Sequence, residues 1–389
     1  MPAEQHLANE LDELAARHLR RVRRTIGGVQ GPTVRVDGRD VLCLCSNNYL
    51  GLAGDPRLRD AATAAIAEAG IGAGASPLIS GHMDAHERLE RAIAEWQGCE
   101  AALVFGSGYH ANIGVLAALL RAGDEVFSDE LNHASLIDGC RLSRAEIRIY
   151  RHLDANDLER QLAASRARRR LIVTDSVFSM DGDLAPLADI VSLAERYDAW
   201  IMIDEAHAVG VFGESGAGLA EDAGLGDRIT VRMGTLGKAL GSYGAFVAGS
   251  RALIELLVNR ARAYVYSTAL PPPVIAAAEA AVAIARGDVE RRRGLWDNAR
   301  RLHGGLERAG VAMQPLASPI VPLVVGGAAE ALAVASRALD EGVLAPAIRP
   351  PTVPQGTARL RLTPIATHAA AQIGDAVDVL GRAVREARG

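Results

Sequence analysis

From about residue 100 onward, short apolar runs alternate with longer amphipathic stretches. The runs are AALVF (101–105), EVFS (125–128), EIRIY (146–150), LIVTD (171–175), WIMID (200–204), TVRM (230–233) and GAFVAG (244–249). Each has the length of a strand, and helical periodicity separates most of them. That alternation predicts a mainly parallel, doubly wound sheet. Upstream, residues 4–24 carry helical periodicity and end in arginines, GGVQGP breaks the pattern, and 33–45 reads as a hairpin. Downstream, YSTALPPP (266–273) precedes a long helical region over 274–309. Strands near 319–325, 343–348 and 358–363, with helices between them, predict a smaller α+β domain. The expected division is an N-terminal helix and hairpin segment (1–45), a large domain (46–273) and a small C-terminal domain with its linking helix (274–389). Such a count suits a 389-residue chain at about 150 residues per domain. SRARRR (165–170) reads as a solvated helix end, and no internal repeat is found.

Composition adds mainly exclusions. Hydrophobic residues make up 49% and charged residues 23%, enough apolar material for a large core. A net charge of −5 gives no reason to expect a nucleic-acid partner. The N-terminal stretch carries acidic residues and no apolar centre, so no signal peptide is expected in it. No apolar run approaches the ~20 residues of a membrane span. A cytoplasmic protein is expected. Cys43 and Cys45 alternate on a predicted strand, and Cys99 and Cys140 are isolated. Without zinc or disulfide spacing, all four are expected to be buried reduced thiols. His82 and His86 share a predicted helix face, but no third ligand accompanies them, so no metal site is expected.

The cationic residues change the picture. Lysine and arginine total 42, and Lys238 is the only lysine, so the other 41 are arginine. A guanidinium stays protonated and is a poor nucleophile. A desolvated ε-amine can lose its proton and attack a carbonyl to form a Schiff base. Phosphate binding is a weaker reason for lysine, because arginine does it too. Gly237, Ala239, Leu240 and Gly241 give Lys238 a tight apolar setting, unlike that of a chance survivor on a solvated face.

Ligands of doubly wound sheets bind beyond the carboxyl ends of the strands, and polar residues gather there. WIMID ends at Asp204, with His207 three residues on, and LIVTD ends at Asp175 and leads to Ser179. AALVF runs into GSGY and a helix, where backbone amides and the helix dipole can hold a phosphate. GTLGK follows another strand, and Thr235 adds a hydroxyl for the same anion. A Schiff-base amine, a strand-end carboxylate and a phosphate cradle are the groups that pyridoxal 5′-phosphate (PLP) requires. Asp204 would keep the pyridine nitrogen protonated and so make the ring an electron sink. Singly these motifs are weak: Asp204 could cap a helix and GSGY could be a plain turn. Their order, with Lys238 34 residues after Asp204, makes the set specific. DEAH (204–207) is also the acidic box of certain helicases, with GTLGKA as a phosphate loop. The pattern G-x-x-x-x-G-K-[ST] fails at Arg232 and Ala239, which argues against that class. A sole lysine at the cofactor position argues against a catalytically silent scaffold.

The motifs SNNYLGL (46–52), GSGYHAN (106–112), DELNHASLIDG (129–139), SVFSMDGDLAPL (176–187), DEAHAVGVFGESGAG (204–218), GTLGKALGSYGAF (234–246) and YSTALPP (266–272) resemble the α-oxoamine synthases. These are fold-type I PLP enzymes that join an amino acid to an acyl-CoA and release CoA and usually CO2. The resemblance covers nearly the whole chain and implies the following roles. Lys238 carries the cofactor and later moves the α-proton, His133 stacks on the ring, and Asp204 pairs with the pyridine nitrogen. His207 and Ser179 lie near the ring oxygen, and Gly108, Tyr109 and Thr235 form the cofactor cradle. Arg361 holds the substrate α-carboxylate, with Asn47 beside it. Arg21, with Arg20, Arg23 and Arg24 close in sequence, contacts the acyl substrate together with Thr352. Ser267 and Thr268 reach the neighbouring subunit's phosphate, which implies a homodimer with shared sites. SPIVPLVVG (318–326) and AIRPPTVPQGTARLRLT (347–363) are most similar to the biotin-pathway branch, which joins L-alanine to pimeloyl-CoA or a pimeloyl carrier protein. Members that use glycine with acetyl- or succinyl-CoA, or serine with palmitoyl-CoA, share nearly all the motifs and stay open as alternatives.

Overall fold

The computed structural model describes residues 3–388; residues 1, 2 and 389 of the expected terminal segments lie outside it. The first helix, Ala3–Ala16, ends earlier than the periodicity over 4–24 predicts. His18 turns the chain out of the helix at φ 56°. Arg17, Arg20, Arg21, Arg23 and Arg24 follow, and continuing the helix would stack like charges at i,i+3 and i,i+4 spacing.

The expected hairpin is present. Strand β1 (Ile26–Gly27) pairs with β2 (Thr33–Val36), and β2 pairs antiparallel with β3 (Arg39–Cys43). Asp37 and Gly38, at φ 50° and 81°, make the two-residue turn whose twist suits a hairpin. Val34, Val36, Val41 and Cys43 are buried on one face, as period-two patterning requires.

All seven apolar runs are strands: β4 (Ala101–Phe105), β5 (Glu125–Asp129), β6 (Glu146–Tyr150), β7 (Arg170–Asp175), β8 (Trp200–Asp204), β9 (Val231–Thr235) and β10 (Ala245–Gly249). They form one sheet in the order β4-β10-β9-β8-β7-β5-β6. The pairs β9–β8, β8–β7, β7–β5 and β5–β6 are parallel, and only β10 runs antiparallel to its neighbours β4 and β9. The sequence is legible here because strands covered on both faces are apolar along most of their length, while the edge strand β6 is mostly exposed and alternates polar and apolar residues. On one face Leu103, Phe105, Val126, Leu171, Val173 and Met202 pack with Val115 and Leu116 of the helix Gly108–Leu119.

The region 274–309 is two helices, Pro272–Gly287 and Val289–Arg308, rather than one. Asp288 leaves helical geometry (φ −95°, ψ 75°) and its carboxylate accepts the Arg291 N–H at 3.0 Å, capping the second helix. Four strands follow: β11 (Val321–Gly326), β12 (Val343–Leu344), β13 (Ala347–Ile348) and β14 (Ala358–Leu362). The single strand expected near 343–348 is thus two. Pro346 lies between them without an N–H to give to a ladder. Strand β12 pairs parallel with β3, whereas β13 pairs antiparallel with β14.

The chain divides into two compact units, one of residues up to Asn47 with Met180–Gly182 and Gly294–Gly389, the other of Asn48–Ser179 and Asp183–Arg293. The three segments expected at 1–45, 46–273 and 274–389 are therefore regrouped. The β3–β12 pairing joins the N-terminal hairpin to the C-terminal region, and the helix Pro272–Gly287 packs on helices Pro56–Ala69 and Asp84–Gln97 of the larger unit. The smaller unit has its own core, with Leu44, Leu306, Val321, Leu323, Leu360 and Leu380 among its buried residues. The thiols are all free, with Cys43 and Cys140 buried and Cys45 and Cys99 only partly so. Among the described residues, no helix is long and apolar enough to cross a membrane.

Candidate active site

The larger unit collects its polar groups where β4, β7, β8 and β9 end. Parallel pairing sets Asp175, the last residue of β7, directly beside Asp204, the last of β8. Asp204 is buried, and its two oxygens have different partners. Oδ1 accepts the Ala206 N–H at 2.9 Å, so it does cap the following turn. Oδ2 accepts the Asn112 amide at 2.8 Å. The same amide nitrogen donates to Ser135 Oγ at 2.9 Å, while Asn112 Oδ1 is buried without a partner among the described residues. Burial, and then the charge of Asp204, push the Asp175 carboxyl well above the usual carboxylate range. Asp175 in turn accepts the His133 backbone N–H at 2.7 Å.

His133 is itself the N-cap of the helix Ala134–Ser143, with its Nδ1 2.7 Å from Ser135 Oγ. Its ring is fixed at the edge that contacts Ser135, and the residue as a whole remains exposed. Desolvation of the ring lowers its pKa, against the pull of Asp204 and with the help of the Lys238 cation. The imidazole is therefore neutral at neutral pH and suited to lie against an aromatic ring.

Lys238 lies in the loop between β9 and β10. Leu236, Ala239 and Leu240 around it are buried, as the apolar setting suggested, while Lys238 is half-buried. Gly241 lets the loop close: it sits at φ 63°, and a Cβ there would come within 2.3 Å of the Ala53 nitrogen. Lys238 Nζ is 2.9 Å from His207 Nε2, and His207 Nδ1 is 2.8 Å from the Tyr49 hydroxyl. Thr235 Oγ1 donates to the Gly244 carbonyl at 3.1 Å and accepts the Gly237 N–H at 3.3 Å.

Strand β4 runs parallel to β9, since both oppose β10. The helix that follows β4 therefore starts at the same edge. Ser107 caps it by accepting the His110 N–H at 3.2 Å, Gly108 is its first residue, and exposed Tyr109 donates to Asp138. Ser179 is half-buried in the turn that follows β7. Thr268 is exposed in the segment after the helix Arg262–Val265, where Ala269 N–H donates to the Ala75 carbonyl at 3.0 Å. The donor set fits PLP. It combines one amine, a buried carboxylate fixed by Asn112, a neutral imidazole beside them, and a glycine-led helix start with Thr235 for the phosphate.

His82 and His86 keep their rings close, with centroids 5.7 Å apart, but not as two residues of one helix. His82 precedes the helix Asp84–Gln97, and His86 contacts the Leu270 carbonyl at 3.0 Å. Ligand atoms of His82, Glu87 and Glu90 do lie within 4.8 Å of one another. Glu90, however, is already engaged by His82 at 3.0 Å and by the Val104 N–H at 2.9 Å, which makes this a local ion pair.

Within the smaller unit, Arg361 touches Asn47 and Arg21 touches Thr352. Arg361, buried on β14, donates to Asn47 Oδ1 at 2.9 Å, and Arg21 Nη2 donates to Thr352 Oγ1 at 3.0 Å. Arg349, which had no assigned role, donates to the carbonyls of His18 and Arg20 and so anchors the arginine segment. A cavity of about 600 Å³ adjoins it, lined by Arg20, Arg21, Arg24, Arg349 and Thr352 among others. In the larger unit, sequence reasoning passed over Tyr49 and Asn112. Both stand inside quoted motifs, SNNYLGL and GSGYHAN, and a buried Asn one turn beyond a helix start was the available signal for the second.

Residues 39–380 match the family model for aminotransferase class I and II. The chain belongs to that family of fold-type I, PLP-dependent enzymes, and within it to the α-oxoamine synthases. It is 55% identical to the 8-amino-7-oxononanoate synthase of Anaeromyxobacter dehalogenans, over 94% of this chain and 92% of that one. It is 49% identical to the enzyme of the same name from Geotalea daltonii, over 98% of each. Among solved structures, a serine palmitoyltransferase from S. paucimobilis with bound PLP superposes with a TM-score of 0.94 at 32% identity, covering 98% of both chains. The 8-amino-7-oxononanoate synthase of Francisella tularensis superposes with a TM-score of 0.76 at 26% identity, covering 89% of this chain and 98% of that one. The cofactor is PLP.

Proposed function

We propose that this enzyme condenses L-alanine with a pimeloyl thioester, carried on CoA or on a carrier protein, to give 8-amino-7-oxononanoate for biotin synthesis. The observation that carries the reading is identity of 49–55% with 8-amino-7-oxononanoate synthases over more than nine-tenths of each chain, against 32% for the serine palmitoyltransferase.

Bound PLP supplies an aldehyde for the amino group and a pyridinium that draws electrons from the substrate Cα. The chain's residues do the rest. Lys238 Nζ would hold the cofactor at its aldehyde, and as a free amine it would take the proton from the substrate Cα. His207, held by Tyr49, keeps that amine oriented. Asp204 keeps a proton on the pyridine nitrogen, and His133 covers one face of the ring. His207 and Ser179 hydrogen-bond the ring oxygen. Gly108, Tyr109 and Thr235 take the phosphate. Arg361 and Asn47 take the α-carboxylate, and Arg21 and Thr352 the acyl group. A bond forms between alanine Cα and the acyl carbonyl carbon as the C–S bond breaks, and the leaving thiolate takes a proton from solvent. The bond to the carboxylate then breaks, CO2 departs, and Lys238 returns a proton to the carbon.

The test is thiol release with alanine and with glycine, each against pimeloyl-, acetyl-, succinyl- and palmitoyl-CoA. Alanine with pimeloyl-CoA should give the highest kcat/KM. The two amino acids differ by one methyl group, worth only about 1–3 kcal/mol in a pocket, so the acyl donor should discriminate more sharply. A higher kcat/KM for glycine with acetyl-CoA would overturn the substrate assignment.

The enzyme is further proposed to be a cytoplasmic homodimer in which Ser267 and Thr268 complete the partner's phosphate site. Co-expressing Lys238→Ala with a Thr268→Ala chain should then give hybrid dimers with one restored site. Full activity in a sedimenting monomer would contradict this.

A further inference from the structure

Outside the residues above, one imidazole joins two loops of the larger unit. His152 follows β6. Its Nδ1 is 2.9 Å from Asp129 Oδ1 and its Nε2 is 2.9 Å from Asp183 Oδ2. The ring stands edge-on to Phe178, with centroids 4.4 Å apart and planes at 90°. Its backbone N–H donates to Glu130 at 3.0 Å, and the Leu153 N–H donates to Asp129 Oδ2 at 3.0 Å. Carboxylates only accept, so both contacts are hydrogen bonds only if both ring nitrogens carry a proton. The groups facing the ring agree. Asp129, Asp183 and Glu130 surround it, while the nearby Arg151 is engaged by Asp154 and Asp157. Burial works against the charge, but the hydrogen bonds that the ring donates to the two carboxylates outweigh it, and the His152 pKa is pushed up to about 10.

The two carboxylates belong to different loops. Asp129 opens the segment that ends in His133. It accepts the Leu131 N–H at 2.9 Å, and Asn132 then donates to the Val173 carbonyl at 2.9 Å. Asp183 closes the turn that carries Ser179, and its carbonyl accepts the Phe178 N–H at 3.0 Å. We propose that His152 is a positioning residue: as an imidazolium clamped between Asp129 and Asp183, it ties the His133 loop to the Ser179 turn and so keeps the PLP site in shape. The inference rests on the reading of His133 and Ser179 as cofactor residues.

The test uses PLP affinity of the full chain, measured by equilibrium dialysis, with histidine side-chain NMR beside it. Asp183→Asn removes one of the two carboxylates and should bring the His152 titration down towards the ordinary range. Its PLP affinity relative to wild type at the same pH should be close to one at about pH 6 and fall about tenfold by about pH 9, the worth of a charged hydrogen bond. His152→Gln should bind PLP about tenfold more weakly at both pH values. In the wild type, both His152 nitrogens should keep their protons at about pH 9, two or more units above the ordinary histidine value. A pH-independent deficit in Asp183→Asn, wild-type affinity in His152→Gln, or a His152 that titrates near its ordinary value would each overturn the proposal. A substitution that only loosens the fold would not create the pH dependence. Should His152→Gln fail to fold, Asp183→Asn and the NMR titration still decide. Failure of the wild type to bind PLP would instead sink the functional reading, and the NMR titration would still report on His152. Stability should follow with the sign of a raised pKa. The His152 contribution is full below its ordinary 6.5 and is lost as pH rises towards about 10.

Discussion

Lys238→Arg should fold, keep its positive charge beside His207, and lose turnover by at least about 10³-fold, the scale of a lost proton-transfer group. Charge is not what the position supplies. The wild-type amine lies 2.9 Å from His207 Nε2, in a loop closed by Gly241 and packed on Leu236, Ala239 and Leu240. Only an unprotonated amine can bond to an aldehyde carbon or take a proton from Cα. A guanidinium stays protonated and can do neither. The chain also permits an unusually clean chemical test. Because Lys238 is its only lysine, borohydride reduction of the holoenzyme has one side-chain amine on which to fix PLP. A digest should place the whole adduct on the peptide containing GTLGK. Cofactor recovered unattached after reduction of an active preparation would refute the assignment.

What was legible in the sequence follows from how local each cause is. Six strands of the large sheet could be read because burial on both faces writes itself into nearly every residue of a run, whereas the edge strand β6, mostly exposed, shows as the alternation of EIRIY. The hairpin could be read because Asp37-Gly38 specifies its own turn. Helix ends were harder. Nothing in the periodicity of 4–24 shows that like-charged arginines will stop the helix at Ala16, although the run itself is visible. The unit boundary was invisible for a different reason: it depends on β3 pairing with β12, some 300 residues away along the chain. Site chemistry divides in the same way. Lys238 stands out by composition, and Asp204 by its place at a strand end. The pairs Arg361–Asn47 and Arg21–Thr352, separated by 314 and 331 residues, have no local signature, and only the family resemblance joined them. Asn112 and His152 act through other residues, so their side chains have meaning only once Asp204, Asp129 and Asp183 are in place around them.

Asp204→Asn should slow exchange of the α-proton of L-alanine for deuterium by about 10³-fold, or about 4 kcal/mol, while weakening alanine binding only slightly. Asn is the same size and can still accept the Ala206 N–H, so the turn after β8 should persist. What disappears is the negative charge. Opposite charges about 3 Å apart interact by about 5 kcal/mol at the effective dielectric of a protein site. That attraction is available to hold a proton on the pyridine nitrogen only while Asp204 is a carboxylate. The benefit grows as Cα gives up its proton, so it belongs to the transition state more than to the bound amino acid, and it should appear in the exchange rate rather than in affinity. Two features of the site sharpen the test. Asn112 donates to Asp204 Oδ2, and an Asn at 204 that presents its NH2 there would face another donor, so some loss of stability is expected by chemical denaturation. Asp175 lies alongside, its carboxyl held high by burial and then by the charge of Asp204. Removing that charge lets Asp175 ionise more easily, and a partial recovery of exchange as pH rises would identify it as a substitute carboxylate. Exchange in the variant close to the wild-type rate at neutral pH would show that the electron sink has been assigned to the wrong residue.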